Sequence, residues 1–166
     1  TLLAETAESL ASQPLFAGIR VTLDLAATRS QVHLDREQLR QVLLNCLLNS
    51  VDAIRSHRSA GEGAITLATR LDAPDGTDHP ARLRLSLMDN GSGIPAELRE
   101  SVFDPFFTTK EPGRGTGLGL WVSLSLIESM GGAIRLESEP GAGTTVHLLL
   151  PLIDPSAPAH PPEPGA

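Results

Sequence analysis

Cysteine, basic charge and long apolar runs are all scarce in this chain. The one cysteine, Cys46, lies in an apolar segment, so no intramolecular disulfide is possible and a reducing, cytoplasmic setting is the simplest interpretation. No apolar run approaches bilayer-spanning length, and the N-terminus lacks a signal-peptide pattern. Because the chain starts at Thr1 without Met, we expect a larger parent protein, and membrane anchoring of that parent stays open.

Acidic residues outnumber basic ones, and the net charge is −7. This balance argues against a general nucleic-acid binder. Any phosphate ligand must therefore be held by local features, such as Lys110 and Arg114 on either side of a glycine-rich turn, helped by a divalent cation. A chain of 166 residues with 40% hydrophobic content predicts one domain with its own core.

Two glycine-rich turns lie between a predicted strand and a predicted helix. Residues 89–93 follow the alternating segment 82–87, and residues 113–120 run directly into an apolar helix. Glycines let a backbone approach a ligand closely, and a helix N-terminus suits an anion such as phosphate. A flexible connection ahead of a core helix explains a lone glycine run equally well.

Residues 36–56 predict a helix that is apolar almost all round. Its narrow polar stripe consists of Asn45, Asn49 and Asp52, which recur at helical spacing. Each group costs about 1–3 kcal/mol if buried without a partner, so this face should meet something polar. Protein backbone or buried water is one interpretation, and a metal with a nucleotide is the other, since amide oxygen suits Mg²⁺.

Periodicity predicts the other elements. They are a helix at 1–15, strands at 19–25, 64–71, 82–88, 134–138 and 144–150, an extended piece at 31–34, a short helix after Pro95, and a helix from about Thr116 to the glycines at 131–132. Asp35 is the predicted N-cap of the long helix, and strands 64–71 and 82–88 are expected to pair antiparallel. Phe106 and Phe107 cannot both point inward on an extended chain.

Five motifs, in this order, resemble the ATP-binding catalytic domain of bacterial sensor histidine kinases, in the superfamily that includes DNA gyrase, Hsp90 and MutL. They are the N box at 45–53, the first glycine box at 89–93, the F box at 103–107, the second glycine box at 115–120, and the final segment 141–145. The resemblance implies an α/β fold, a two-layer Bergerat-type sandwich with a mixed, mainly antiparallel sheet and helices on one face. It implies a catalytic domain at 1–151 and a proline-rich disordered tail at 152–166. Segment 106–110 most resembles the nitrogen-regulation type.

The resemblance also implies ATP and Mg²⁺ as cofactors. Asn49 would be the metal ligand, with Asn45 beside it facing the phosphates, while Lys110 and Arg114 cover the phosphates; these four are the expected catalytic residues. Asp89 would accept a hydrogen bond from the adenine amine. The expected nucleotide-binding residues are Asn45, Asn49, Asp52, Ala53, Asp89, Gly91, Gly93, Ile94, Phe106, Thr108, Thr109, Lys110, Arg114, Gly115, Thr116, Gly117, Leu118, Gly119, Leu120 and Thr145.

The residue at position 45, here Asn45, distinguishes histidine kinases from the ATPases of this superfamily. Gyrase-like and Hsp90-like ATPases carry a carboxylate at this position to activate water, and an amide cannot act as that base, so hydrolysis is expected to be slow. The chain would then transfer phosphate to a histidine, as part of two-component signalling. An ATPase clamp, an anti-sigma-type serine kinase and a catalytically inert nucleotide-binding module stay open as alternatives.

The phosphate-accepting histidine of this family lies in a preceding helical hairpin. None of the five histidines has that setting: they are His33, His57, His79, His147 and His160. We therefore expect the acceptor on a separate dimerisation and phosphoacceptor domain, with a response regulator downstream. The isolated domain is expected to be monomeric and to bind no nucleic acid.

Overall fold

The computed structural model describes residues 5, 13–27, 32, 35–73, 81–110 and 115–152. Within these ranges two α-helices and five strands form the fold. In chain order they are β1 (Ile19–Leu25), α1 (Arg36–His57), β2 (Gly63–Asp72), β3 (Arg82–Asp89), α2 (Gly119–Ser129), β4 (Ala133–Glu139) and β5 (Gly143–Pro151). None of the helices in these ranges is long and apolar enough to cross a membrane.

The five strands form one sheet in the order β1-β2-β3-β5-β4. β1 runs parallel to β2, whereas β2–β3, β3–β5 and β5–β4 are antiparallel. The register places Asp89, the last residue of β3, opposite Thr144 at the start of β5. The expected mixed, mainly antiparallel sheet is confirmed.

The core lies between α1 and one face of this sheet. Strand side chains alternate between faces, and the buried set comes from one face of each central strand together with the apolar surface of α1. Its members include Val42, Leu43, Leu47, Val51, Ile65, Leu85, Leu87, Leu148 and Leu150. α2 packs beside α1 through the buried Ile127. The structure is thus the α/β sandwich that was expected.

The start of α1 follows from its first residues. The Asp35 carboxylate accepts hydrogen bonds from the backbone N–H groups of Glu37 at 2.9 Å and Gln38 at 3.2 Å. These are two of the donors that a helix N-terminus leaves unpaired. Arg55 and His57 lie in the last turn, where positive charge suits the macrodipole. The predicted N-cap is confirmed.

Two predicted elements differ from the structure. The short helix after Pro95 is a pair of 3₁₀ turns, Ala96–Leu98 and Ser101–Phe103, because Pro105 keeps the residue before it extended and leaves too few residues for a stable α-helix. α2 begins at Gly119 rather than near Thr116, because Gly117 has a left-handed φ of 67°, which a right-handed helix does not accommodate.

Three predictions fall wholly or mostly outside the described residues. Of the predicted helix at 1–15, Glu5 is helical and Pro14 begins a 3₁₀ turn, while the rest through residue 12 lies outside. The extended piece at 31–34 is described only at Val32. The tail is described only at Leu152.

Candidate functional site

The Asp89 carboxylate is held by donors from three separate parts of the chain. Its Oδ1 accepts from the backbone N–H groups of Gly91 at 2.9 Å and Thr144 at 3.2 Å, and its Oδ2 accepts from the Ser50 hydroxyl at 2.7 Å. A carboxylate offers about four acceptor positions. Three are used by the protein, so one oriented acceptor position on Oδ2 remains for a ligand.

Two of these partners were missed by the sequence analysis. Ser50 is 3% exposed and sits on the apolar side of α1, where a single serine gives no periodic signal; its adjacency to Asn49 was the one available hint. The second is Thr144, whose backbone N–H reaches Asp89, while its neighbour Thr145 stays a predicted nucleotide-binding residue. Thr145 pairs with Met88, and alternation turns its side chain to the opposite face of the sheet.

The turn after Asp89 packs so closely on its neighbours that only glycine fits. A Cβ on Gly91 would lie 2.7 Å from the Ala53 Cβ, and a Cβ on Gly93, whose φ is 69°, would lie 1.9 Å from the Glu139 carbonyl oxygen. Ile94 continues this anchoring, since its N–H donates to the Ser138 hydroxyl at 2.8 Å. The first glycine box therefore serves packing between protein segments.

Asn45 connects α1 to the start of α2. Its Nδ2 donates to the Gly119 carbonyl at 3.1 Å and to the Ser123 hydroxyl at 3.3 Å, and its Oδ1 accepts from the Gln41 amide at 3.0 Å. The second glycine box thus ends directly against the polar stripe of α1. The stripe meets polar groups, as expected, and at this position they are protein groups.

The side chains of Asn49 and Asp52 both contact the Lys110 ammonium. The Lys110 ammonium forms an ion pair with the Asp52 carboxylate and lies 3.4 Å from the Asn49 amide oxygen. Lys110 follows the F box, so this contact joins the loop after Phe107 to the middle of α1. Two oxygen-bearing side chains that were expected near Mg²⁺ are therefore gathered around a positive charge.

The F box and the second glycine box lie against each other. A Cβ on Gly117 would lie 2.3 Å from the Phe106 carbonyl carbon, so glycine is required there. Phe106 itself has φ 67° and is 72% exposed, whereas Phe107 is half-buried. One phenylalanine points outward, as the sequence required.

The remaining expected residues lie near the Asp89 turn, next to residues 111–114 or at the start of α2. Ala53 borders the Asp89 turn, Thr108, Thr109, Gly115 and Thr116 lie on either side of residues 111–114, and Leu118 and Leu120 lie at the start of α2. Arg114 lies outside the described residues. Within the part of the chain that the structure describes, no three His, Cys, Asp or Glu side chains cluster as a metal site.

Residues 34–154 match the family described as histidine kinase-, DNA gyrase B- and HSP90-like ATPases. The chain belongs to this family. The matched segment contains Asp89, the Asn45–Asn49 stripe of α1 and both glycine boxes, so the family covers every contact described above.

Relatives of the chain within this ATPase family include sensor histidine kinases. The chain is 39% identical over 140 residues to the signal transduction histidine-protein kinase AtoS of Escherichia coli K12, an alignment that covers 82% of this chain and 21% of AtoS. It therefore spans about a fifth of that relative's length. The expected resemblance to histidine kinase catalytic domains is confirmed.

Solved structures support the same family assignment. The catalytic domain of histidine kinase ThkA superposes with a TM-score of 0.71 at 28% identity, covering 91% of this chain and 92% of ThkA's. Full-length ShkA in complex with AMPPNP gives a TM-score of 0.73 at 29% identity, covering 95% of this chain and 31% of ShkA. The helices and the mixed sheet are thus those of histidine kinase catalytic domains.

Cys46 lies between site residues of α1 but points into the core. It is 3% exposed, and burial raises the pKa of its thiol to about 12. The thiolate is the nucleophilic form of cysteine, and a free cysteine ionises near pH 8.5. Thiol chemistry therefore has no part in this ATPase-family site.

We predict that Cys46 resists alkylation in the folded protein. At pH 8.5 iodoacetamide should label it at least about 100-fold more slowly than in urea, where the thiol regains its ordinary pKa. Mass spectrometry of time points measures both rates. Equal rates in the two conditions would contradict the buried placement.

Proposed function

We propose that this chain binds Mg·ATP and transfers the γ-phosphoryl group to a histidine on a separate dimerisation and phosphoacceptor domain of its parent kinase. A response regulator would receive the phosphoryl group downstream. The observation that carries the proposal is the Asp89 carboxylate, which three protein donors orient and leave with one acceptor position. The relatives named above and the ATP analogue AMPPNP bound to ShkA support it.

Asp89 selects for adenine by hydrogen-bond polarity. The adenine exocyclic amine is a donor and suits a carboxylate, whereas guanine presents a carbonyl oxygen at the equivalent position. Two acceptors facing each other leave buried polar groups unpaired, which is a strong basis for discrimination. Ser50 favours this arrangement further because its hydroxyl already donates to the same carboxylate.

The residues around Lys110 fit a cation site. Asn49 and Asp52 supply oxygen atoms, which are the ligands that Mg²⁺ prefers, and they already hold the Lys110 ammonium. Asn49 would hold the metal, which would neutralise phosphate charge during transfer. Lys110 is then free to pair with a phosphate instead.

In the transfer step, a nitrogen of the accepting imidazole bonds to the γ-phosphorus as the bond from that phosphorus to the β,γ-bridging oxygen breaks. ADP leaves with the electron pair of that bond. Such reactions depend mainly on positioning and charge neutralisation. Asn45 carries no basic group and bonds to Gly119 and Ser123, so nothing at this position activates water, and hydrolysis is expected to be slow.

We predict that Asp89→Asn lowers the preference for ATP over GTP. ATP affinity should fall at least about tenfold, because an amide in place of the carboxylate loses a charge-assisted hydrogen bond, while GTP affinity should not fall. Titration calorimetry with both nucleotides measures the ratio. Asp72→Asn, at the far end of β2, is the matched control and should change neither value. Equal affinities of the wild-type chain for ATP and GTP would overturn the adenine assignment.

We predict that ATP protects Lys110 from acylation. Lys110 is the one lysine in the chain, so peptide mapping separates its labelling from that of the N-terminal amine. Mg·ATP should slow acylation several-fold, since a phosphate would pair with the ammonium. Adenosine, which lacks phosphates, is the control and should give little protection. Identical labelling with and without Mg·ATP would exclude Lys110 from the phosphate site.

Mixing the chain with a histidine-bearing helical hairpin of a sensor kinase and labelled Mg·ATP tests the transfer itself. We expect acid-labile, base-stable phosphate on the hairpin, lost when its histidine is replaced by Gln or when Asn49→Ala removes the metal ligand. Rapid hydrolysis without transfer would favour an ATPase clamp. Phosphate on a partner's serine would favour a serine kinase, and binding without any transfer would favour an inert module.

A further inference from the structure

Arg58 follows the last residue of α1 and reaches two distant turns. Its Nε donates to the Asn90 carbonyl at 2.7 Å, and its Nη2 donates to the Gly141 carbonyl at 3.1 Å. Its own backbone N–H donates to the Ile54 carbonyl at 2.7 Å. The side chain therefore projects from a fixed helix end rather than from a free loop.

Both of these carbonyls belong to segments that hold Asp89. Asn90 is the next residue in the chain, and its side chain is itself bonded to the Ala64 N–H at 2.8 Å, which anchors it to the start of β2. Gly141 lies in the β4–β5 hairpin, whose Thr144 N–H donates to Asp89. Arg58 thus joins the segment that carries the base-recognising carboxylate to the segment that orients it.

The hairpin and the Asp89 turn also touch directly. The Gly141 N–H donates to the Ser92 carbonyl at 2.7 Å, and a Cβ on Gly143 would lie 2.0 Å from the Asp89 carbonyl oxygen. The two segments meet edge to edge through backbone atoms alone at these positions. The Arg58 side chain adds hydrogen bonds to both the hairpin and the Asp89 turn.

Arginine suits this task for a chemical reason. The guanidinium is planar and permanently charged, and its donors point outward in a fixed fork, so it can bond two carbonyls at once. A lysine ammonium is a single point on a flexible stem and would lose more freedom in bridging the same two atoms. Hydrogen bonds from a charged donor are also stronger than neutral ones.

We propose that Arg58 is a positioning residue for base recognition, acting by holding the β4–β5 hairpin against the turn that carries Asp89. This role rests on the proposed adenine site. Arg58 bonds the segments on either side of Asp89 and acts on the orientation of the carboxylate, not on the phosphates. Its loss therefore affects the recognition of the base and leaves the contribution of the γ-phosphate unchanged.

Arg58→Ala and Arg58→Lys test this proposal by titration calorimetry with ATP, ADP and GTP. In Arg58→Ala the Kd for ATP should rise about 5- to 20-fold, as expected for losing two hydrogen bonds that orient the acceptor. The Kd for ADP should rise by the same factor, and the preference for ATP over GTP should fall. Arg58→Lys keeps the charge and most of the stem, so it should fold normally and fall between wild type and Arg58→Ala.

Arg55→Ala is the matched control. Arg55 lies in the same last turn of α1, and its Nη2 also donates to a backbone carbonyl, that of Leu15, at 2.8 Å. Its loss should leave the Kd for ATP within about twofold of wild type, as expected for a contact outside the site. A lower Tm of Arg58→Ala with an unchanged ATP-to-GTP ratio would indicate a purely structural role and would overturn the proposal.

Two further results would overturn the proposal, and they are distinguishable. If wild type binds ATP but Arg58→Ala and Arg58→Lys keep its affinity and its base preference, the positioning role is wrong while the adenine site stands. If wild type binds no ATP, the nucleotide assignment fails, and the role of Arg58 fails with it.

Discussion

The hydrogen bonds to one carboxylate, that of Asp89, constrain the positions of the elements around it. Asp89 accepts from Ser50 on α1, from Gly91 in its own turn and from Thr144 at the start of β5. A donor or acceptor left unpaired in a partly buried site costs about 1–3 kcal/mol, so each partner must be in register. A shift of α1, β3 or β5 alone would therefore break at least one of these hydrogen bonds. The contacts that hold the three elements together also orient the Asp89 carboxylate.

The two glycine boxes have different physical reasons for their composition. Gly91 and Gly93 are required because Ala53 and the Glu139 carbonyl occupy the space that a side chain would need. Gly119 is not crowded in this way, since an added Cβ would meet Asn45 only at 3.9 Å. A glycine there leaves the N-terminus of α2 open beside the polar stripe, where a phosphate would gain from the helix dipole. The second box therefore combines Gly117, which packing against Phe106 requires, with Gly119, which its neighbours do not crowd.

Local patterns predicted most of the fold because each helix or strand has a sequence pattern that extends over several residues. The strand alternation, the N-cap at Asp35 and the apolar surface of α1 all recur within a few positions. Single-residue facts were harder. The register that turns Thr144 rather than Thr145 toward Asp89 depends on pairing with β3, and the role of Ser50 depends on a strand end 39 residues away. Neither leaves a periodic trace in the sequence.

Each residue of the polar stripe of α1 contacts another protein group. Asn45 and Asn49 are half-buried and need polar partners, whereas Asp52 is exposed. Protein groups supply the partners of all three, including the Lys110 ammonium. These protein partners are compatible with the proposed Mg·ATP site, because Lys110 contacts Asn49, the proposed metal ligand, and would leave it for a phosphate. A metal at Asn49 would repel the ammonium toward the phosphates that arrive with it. In a chain of net charge −7, such an exchange would let the local field become positive only when the nucleotide brings its own cation.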